Sequence, residues 1–168
     1  RIGKSLISKC KSFNMKINIY DPFVDENIIK NLGCQKVTNL NNGFKTADYI
    51  TLHVPLNKNT ENLINLESMK IMKKNTIIIN TARGGIINEK DLDQAIREGI
   101  IFGAGIDVFK NEPVGNDNPL VLNNRVLLSP HSATFTDECT SRMGIQTIQN
   151  IIDFFEGTID KSMIINND

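Results

Sequence analysis

Three short stretches of the chain carry side chains able to do acid–base chemistry on a small acid. The first is "NTARGGIIN", residues 80–88, where Arg83 follows an apolar run at 76–79. A guanidinium fork meets a carboxylate through two parallel hydrogen bonds. Ala82, Gly84 and Gly85 add no bulk around it and allow a backbone to come close to a ligand. The competing reading is a surface or capping arginine. The second stretch is "LLSPHSAT", which contains His131, and the third is "KNEPVG", which contains Glu112. A carboxylate bonded to an imidazole raises its pKa and fixes its tautomer, which makes a general acid–base near neutral pH. That requires Glu112 to lie beside His131; otherwise the histidine is structural. No serine or cysteine stands in a nucleophile-elbow setting, and no histidine–carboxylate spacing suggests a metal site. The inventory points away from covalent and metal catalysis.

A cofactor signal sits at the start. "RIG" before a helical pattern reads as the last part of a G-x-G-x-x-G turn, with Gly3 as the third glycine. Asp21 comes 18 positions later, closing "KINIYD". A carboxylate at such a strand end accepts hydrogen bonds from both ribose hydroxyls and repels a 2′-phosphate, favouring NAD over NADP. An aspartate before a proline also reads as a simple turn residue.

These side chains need a frame. Apolar or β-rich runs recur at 17–20, 49–54, 76–80, 101–106 and 125–128. Between them, 4–13 places Leu6, Ile7 and Cys10 on one helical face, and 89–98 places Leu92, Ala95 and Ile96 likewise. Gly99 stops the second of these. A long amphipathic helix is predicted over 136–157, with Thr136 as N-cap and Gly157 as its stop. Val24, Asp25 and Glu26, and the segment 56–60, read as loops. Strands alternating with helices imply an α/β fold with a parallel sheet covered on both faces. Ligands bind such sheets beyond the carboxyl ends of the strands. Asp21, Arg83, Asp107 and His131 follow predicted strands and His53 to Pro55 end another, although loops at strand ends are commonly polar.

Composition narrows the classes. The 168 residues hold 40% hydrophobic side chains, room for one domain with a real core. Nineteen basic residues balance nineteen acidic ones, so nothing suggests a nucleic-acid partner. Cys10, Cys34 and Cys139 show no C-x-x-C spacing, as expected of free thiols in a reducing, cytoplasmic setting. No run reaches the roughly 18 apolar residues of a membrane span, and no signal peptide is visible. The opening "RIGKSLISKC" lacks an initiator methionine and reads as a processed chain or a fragment.

"RIG…YDP", "LHVPLNKNTENLIN", "INTARGGIINEKDLDQAI", "GAGIDVFKNEP" and "LLSPHSA" together resemble the nucleotide-binding domain of the D-2-hydroxyacid dehydrogenases. That family includes phosphoglycerate dehydrogenase and the hydroxypyruvate and glyoxylate reductases. The resemblance runs over nearly the whole chain. It implies a Rossmann-like, doubly wound parallel sheet lacking its first strand, and an NAD-binding domain over 1–168. A substrate domain would be largely absent, with the tail from about 155 returning to it. It also implies that Arg83 binds a substrate carboxylate, that His131 exchanges the C2 hydroxyl proton, and that Glu112 pairs with His131. Arg1, Ile2 and Gly3 would lie against the pyrophosphate, and Asp21 against the ribose. Asp107 would meet the nicotinamide end, and Val54, Thr81, Ala82, Ser132 and Ala133 would line the cofactor path. The implied activity is NAD-dependent hydride transfer at C2 of a small 2-hydroxy or 2-keto acid. The full-length parent would be a homodimer, and the isolated stretch inactive and either poorly stable or compensated by swapping or oligomerisation. The alternative within the family is an NAD(H)-sensing, corepressor-like interaction module.

Overall fold

The run Ile77-Ile78-Ile79 is β-branched throughout, and its side chains are suited to a pleated surface buried on both faces. In the computed structural model it forms β4 (Ile77–Asn80), flanked by β3 (Tyr49–Leu52) and β5 (Gly103–Ile106), with β6 (Val126–Leu128) beyond β5. All four run parallel, in the order β3-β4-β5-β6. A second, two-stranded parallel sheet pairs β1 (Asn18–Ile19) with β2 (Gln35–Lys36). In a doubly wound sheet the strand order is 3-2-1-4-5-6. The observed β2-β1 and β3-β4-β5 match the 3-2 and 4-5-6 parts of that order, and β6 adds one strand beyond β5. The structure describes residues 2–164.

Helices alternate with the strands. They are α1 (Ile2–Ser12), α2 (Glu26–Asn31), α3 (Leu40–Thr46), α4 (Leu66–Lys70), α5 (Glu89–Arg97) and α6 (Asp137–Glu156). The predicted face of α1, Leu6, Ile7 and Cys10, is half-buried while its neighbours are exposed. In α5, Leu92, Ala95 and Ile96 are buried as the spacing requires. Thr136 caps α6, its hydroxyl accepting the Cys139 N–H, and Gly157 ends that helix in the left-handed region at φ 71°. The loop expected at Val24–Glu26 is corrected: Glu26 opens α2. The Asp25 side chain accepts the Asn27 N–H as N-cap, and Glu26 pairs with Lys30 one turn on. Strands are shorter than the apolar runs. Ile101, for example, is buried but lies outside β5, in the connection that follows Gly99.

Residues 1–131 and 132–168 form two compact units. The core of the first gathers Ile64, Met69, Ile78, Ile86, Leu92, Ile101 and Leu120, all fully buried. Asparagines start its helices: Asn39, Asn65 and Asn88 cap α3, α4 and α5 through their side chains. Asp91 of α5 also accepts the Leu66 N–H and so ties α4 to α5. The second unit is built on α6, whose Ile145, Ile148, Ile151, Phe154 and Phe155 are exposed. Among the described residues no helix is long and apolar enough to cross a membrane.

One close approach fixes the layout of the loops beyond the strand ends. A Cβ placed on Gly84 would sit 1.9 Å from the Phe109 carbonyl oxygen, so the loop after β4 rests directly on the backbone after β5. Gly84→Ala is therefore expected to lower stability by about 1–3 kcal/mol or more, through forced backbone separation. Gly105→Ala, whose new methyl would meet only Ile79 at 4.0 Å, should be nearly neutral. Urea midpoints of the two variants check this, and equal midpoints would rule out the close approach. Ile78→Ala should cost about 2–5 kcal/mol, and exposed Ile145→Ala within about 0.5 kcal/mol of none.

Candidate active site

The four-stranded sheet ends on a single rung. Leu52, Asn80, Ile106 and Leu128 are register partners across β3, β4, β5 and β6, and each is the last residue of its strand. Because the strands are parallel, the polar residues that follow them start from one edge. The backbone ladder reaches one step further: the Asp107 N–H donates to the Asn80 carbonyl at 3.0 Å and the Ser129 N–H to the Ile106 carbonyl at 3.0 Å. From there side chains continue the connections.

His131 is fixed twice by its backbone, whose N–H donates to the Asp107 carbonyl at 2.8 Å and also reaches the Ser129 carbonyl at 3.1 Å. Its φ of 52° is left-handed, an uncommon state for a residue with a Cβ. The ring then meets Glu112, with Nδ1 and Oε2 2.7 Å apart. The other Glu112 oxygen accepts the Phe109 N–H at 2.8 Å. The hydrogen bond with His131, and after it the one from Phe109, holds the Glu112 carboxyl below the ordinary carboxylate range. The pairing expected between these residues is present across nineteen positions of sequence.

Glu112 sits on a loop tied down from α5. Glu89, the first residue of that helix, accepts the Lys110 N–H at 2.6 Å through one oxygen and the Asn118 amide at 2.7 Å through the other. Composition did not single out Glu89, because an acid in a first turn reads as an ordinary partner of the helix dipole. Ser129 was likewise missed; its hydroxyl donates to Asp107 Oδ1 at 2.5 Å. Asp107 is buried, 3% exposed, in a position where an ionised carboxylate requires such donors.

Arg83 is exposed, and its Nη1 donates to the Ala82 carbonyl at 2.6 Å. Among the described residues no carboxylate forms an ion pair with it. Thr81 is exposed as well, while Val54 and Ala82 are half-buried against the core. His53, just past β3, lies against the first turn of α1: a Cβ on Gly3 would stand 3.6 Å from its ring. Burial pushes the His53 pKa down, and its Nε2 lies 3.0 Å from the Thr51 hydroxyl. This contact brings the start of α1, with its Gly3 and the exposed Ile2, to the same edge as the strand ends.

Asp21 is half-buried just past β1, and one of its oxygens accepts the Phe23 N–H at 2.9 Å. That bond makes it a turn residue while engaging one carboxylate oxygen of two. A helix start at the strand edge, whose first N–H groups have no partner within the helix, and a carboxylate past β1, are donor and acceptor types that suit a dinucleotide. Ser132 and Ala133 belong to the second unit, where the Ser132 carbonyl accepts the Phe135 N–H at 2.9 Å. Arg1 lies outside the described residues. Among the described residues no group of three histidine, cysteine or acidic side chains could hold a metal ion.

Comparison with known proteins identifies the family. Residues 1–133 match the model of the NAD binding domain of D-isomer specific 2-hydroxyacid dehydrogenases. The D-3-phosphoglycerate dehydrogenase of Methanocaldococcus jannaschii is 38% identical over 98% of this chain and 31% of its own length. The glyoxylate reductase of Korarchaeum cryptofilum is 38% identical over 98% of this chain and 49% of its own. This chain thus spans about half the length, or less, of the curated relatives it matches. Among solved structures, the D-lactate dehydrogenase of Aquifex aeolicus complexed with NAD and lactic acid superposes with a TM-score of 0.81 at 31% identity, over 94% of this chain and 51% of that one. The NAD-complexed D-isomer specific 2-hydroxyacid dehydrogenase of Lactobacillus delbrueckii ssp. bulgaricus gives 0.83 at 25% identity, over 96% and 52%. The chain belongs to the D-isomer specific 2-hydroxyacid dehydrogenase family, as an NAD-binding domain of Rossmann-like fold.

Proposed function

We propose that this chain is the nucleotide-binding part of an NAD-dependent oxidoreductase acting at C2 of a D-2-hydroxy acid or 2-keto acid. The observation that carries the reading is the 2.7 Å contact between His131 and Glu112 at the edge where the strands end. With Nδ1 committed to Glu112, Nε2 of His131 is the nitrogen that takes the hydroxyl proton during oxidation. In reduction the same nitrogen, protonated, returns it to the developing alkoxide. Glu112 fixes the tautomer and favours the imidazolium once it forms. Arg83 holds the substrate carboxylate through its fork and so presents C2 in one orientation. NAD, when bound, supplies the acceptor for the hydride leaving C2. Ile2 and Gly3 offer the start of α1 to its pyrophosphate, Asp21 meets the adenosine ribose, and Asp107 faces its nicotinamide end. Val54, Thr81 and Ala82 line its path.

The same reading makes the stretch alone inactive, because the matched relatives are two to three times as long. The complete polypeptide is then a cytoplasmic homodimer. Its His131→Ala variant should lose turnover by roughly 10²–10⁴-fold while NADH affinity stays within about twofold; equal loss of both would make the histidine structural. Arg83→Lys should raise the Michaelis constant for the keto acid by roughly tenfold or more, since an ammonium cannot reproduce the fork. An unchanged constant would refute that role. Turnover across a panel of 2-keto acids with NADH separates the enzyme from a corepressor-like module, which would bind peptides in an NAD(H)-dependent way without turnover.

The Glu112 pair also gives a pH signature. Its folded-state pKa is depressed, so its contribution to stability is complete above the ordinary carboxylate value of about 4.3. It is lost as the pH falls through the lower folded value. The gap in urea midpoint between the natural protein and Glu112→Gln should therefore narrow on acidification below about pH 4. A gap that widens there would contradict the pairing.

A further inference from the structure

Asn80 is an amide in a place where the core would accept a hydrocarbon. It is the last residue of β4, its neighbours on the rung are Leu52 and Ile106, and it is 1% exposed. Burying an amide is unfavourable unless both ends of the group are bonded. Both are. Oδ1 accepts the Ala82 N–H at 3.0 Å, and Nδ2 donates to the Arg83 carbonyl at 2.9 Å. One side chain thus grips the loop at the N–H of Ala82 and the carbonyl of Arg83, on either side of the peptide that joins them. The Asn80 backbone carbonyl meanwhile accepts from Asp107, whose own carbonyl holds the His131 N–H.

We propose that Asn80 is a positioning residue: its amide sets the backbone from which Arg83 reaches the substrate carboxylate. The inference rests on the reading of Arg83 as the carboxylate-binding residue. The side-chain type follows from the two bonds. The clasp needs one acceptor and one donor at the end of a single methylene. Aspartate offers two acceptors, so it keeps the Ala82 contact, opposes the Arg83 carbonyl and buries a charge. Leucine has the same branching, is somewhat bulkier and makes neither bond. Glutamine is one carbon too long for the same pair of atoms. Arg83 cannot draw a fixed direction from its own surroundings, because it is exposed and its guanidinium bonds only to the adjacent Ala82 carbonyl among the contacts described. The directional information therefore comes from the backbone, and the backbone is held by Asn80 and by the seat of Gly84 on Phe109.

A double-mutant cycle in the complete polypeptide tests this, with glyoxylate and NADH as the probes and Asn80→Asp, Asn80→Leu, Arg83→Ala and their combinations as the variants. In the presence of Arg83, each Asn80 substitution should lower kcat/KM by roughly tenfold or more, mainly through KM. In the Arg83→Ala background the same substitutions should change kcat/KM by less than about twofold, because nothing remains to be aimed. Additive losses would overturn the proposal and leave Asn80 with a merely structural part. An Arg83→Ala variant whose KM matches the natural protein would instead overturn the reading of Arg83, and the inference with it. Should the Asn80 variants fail to fold, hydrogen exchange in the natural protein decides. The Ala82 amide and the Asn80 side-chain amide are expected to be protected, and fast exchange of both would overturn the clasp.

Discussion

The site depends on four parallel strands finishing on one rung. Leu52, Asn80, Ile106 and Leu128 end β3 to β6 in register, so the loops that follow begin at one level. A parallel sheet is the arrangement that allows this, because every strand then delivers its carboxyl end to the same edge. Antiparallel neighbours would send alternate loops to opposite ends, and His53, Arg83, Asp107 and His131 could not share an edge. The register is anchored below by fully buried Ile78 and its buried partner Ala104. Moving a strand by one residue would exchange its buried and exposed side chains, so the core that stabilises the sheet also determines the level of the loops.

Above that rung burial falls away in order. Asn80 and Asp107 are buried and bonded at both backbone and side chain, while Glu112 and His131 have side chains 35% and 47% exposed. Buried polar groups thus lie underneath and more exposed ones on top. His131 illustrates what the lower layer does. Its left-handed backbone costs of order 1–3 kcal/mol for a residue with a side chain, and two hydrogen bonds to its N–H hold it there. The ring is thereby turned to Glu112, which is held by Phe109 on one side and by a loop anchored on Glu89 on the other. The Glu112–His131 pair is held in place through backbone contacts; among the described residues every buried side-chain nitrogen or oxygen has a partner.

Much of this frame was legible in the residues themselves. The β-branched run before Asn80, the Thr136 and Gly157 signals around α6, and the apolar spacing of α5 each carry a local physical cause. Helices α2, α3 and α4 were not legible, since 6, 7 and 5 residues are too few for a periodic pattern. Their caps, Asp25, Asn39 and Asn65, look like turn residues until the helix is seen. The site divides the same way. Arg83, Glu112 and His131 stand out because their chemistry is unusual in small-residue surroundings. Asn80, Glu89 and Ser129 do not, because a polar residue that bonds backbone is indistinguishable in sequence from one that bonds water. The separation into two sheets follows the doubly wound order, but the placing of Ser132 and Ala133 in a second unit has no counterpart in residue pattern.

Relatives named for different substrates, a phosphoglycerate and a glyoxylate enzyme, match this one stretch at the same 38% identity. On the proposed reading, the common part is the carboxylate and the adjoining C2, which Arg83 and His131 address with a fork and a proton. Reaction type and substrate choice are then separable. On that reading the strand edge sets the first, and the second can vary without disturbing the rung, the Asn80 clasp or the Glu112–His131 pair.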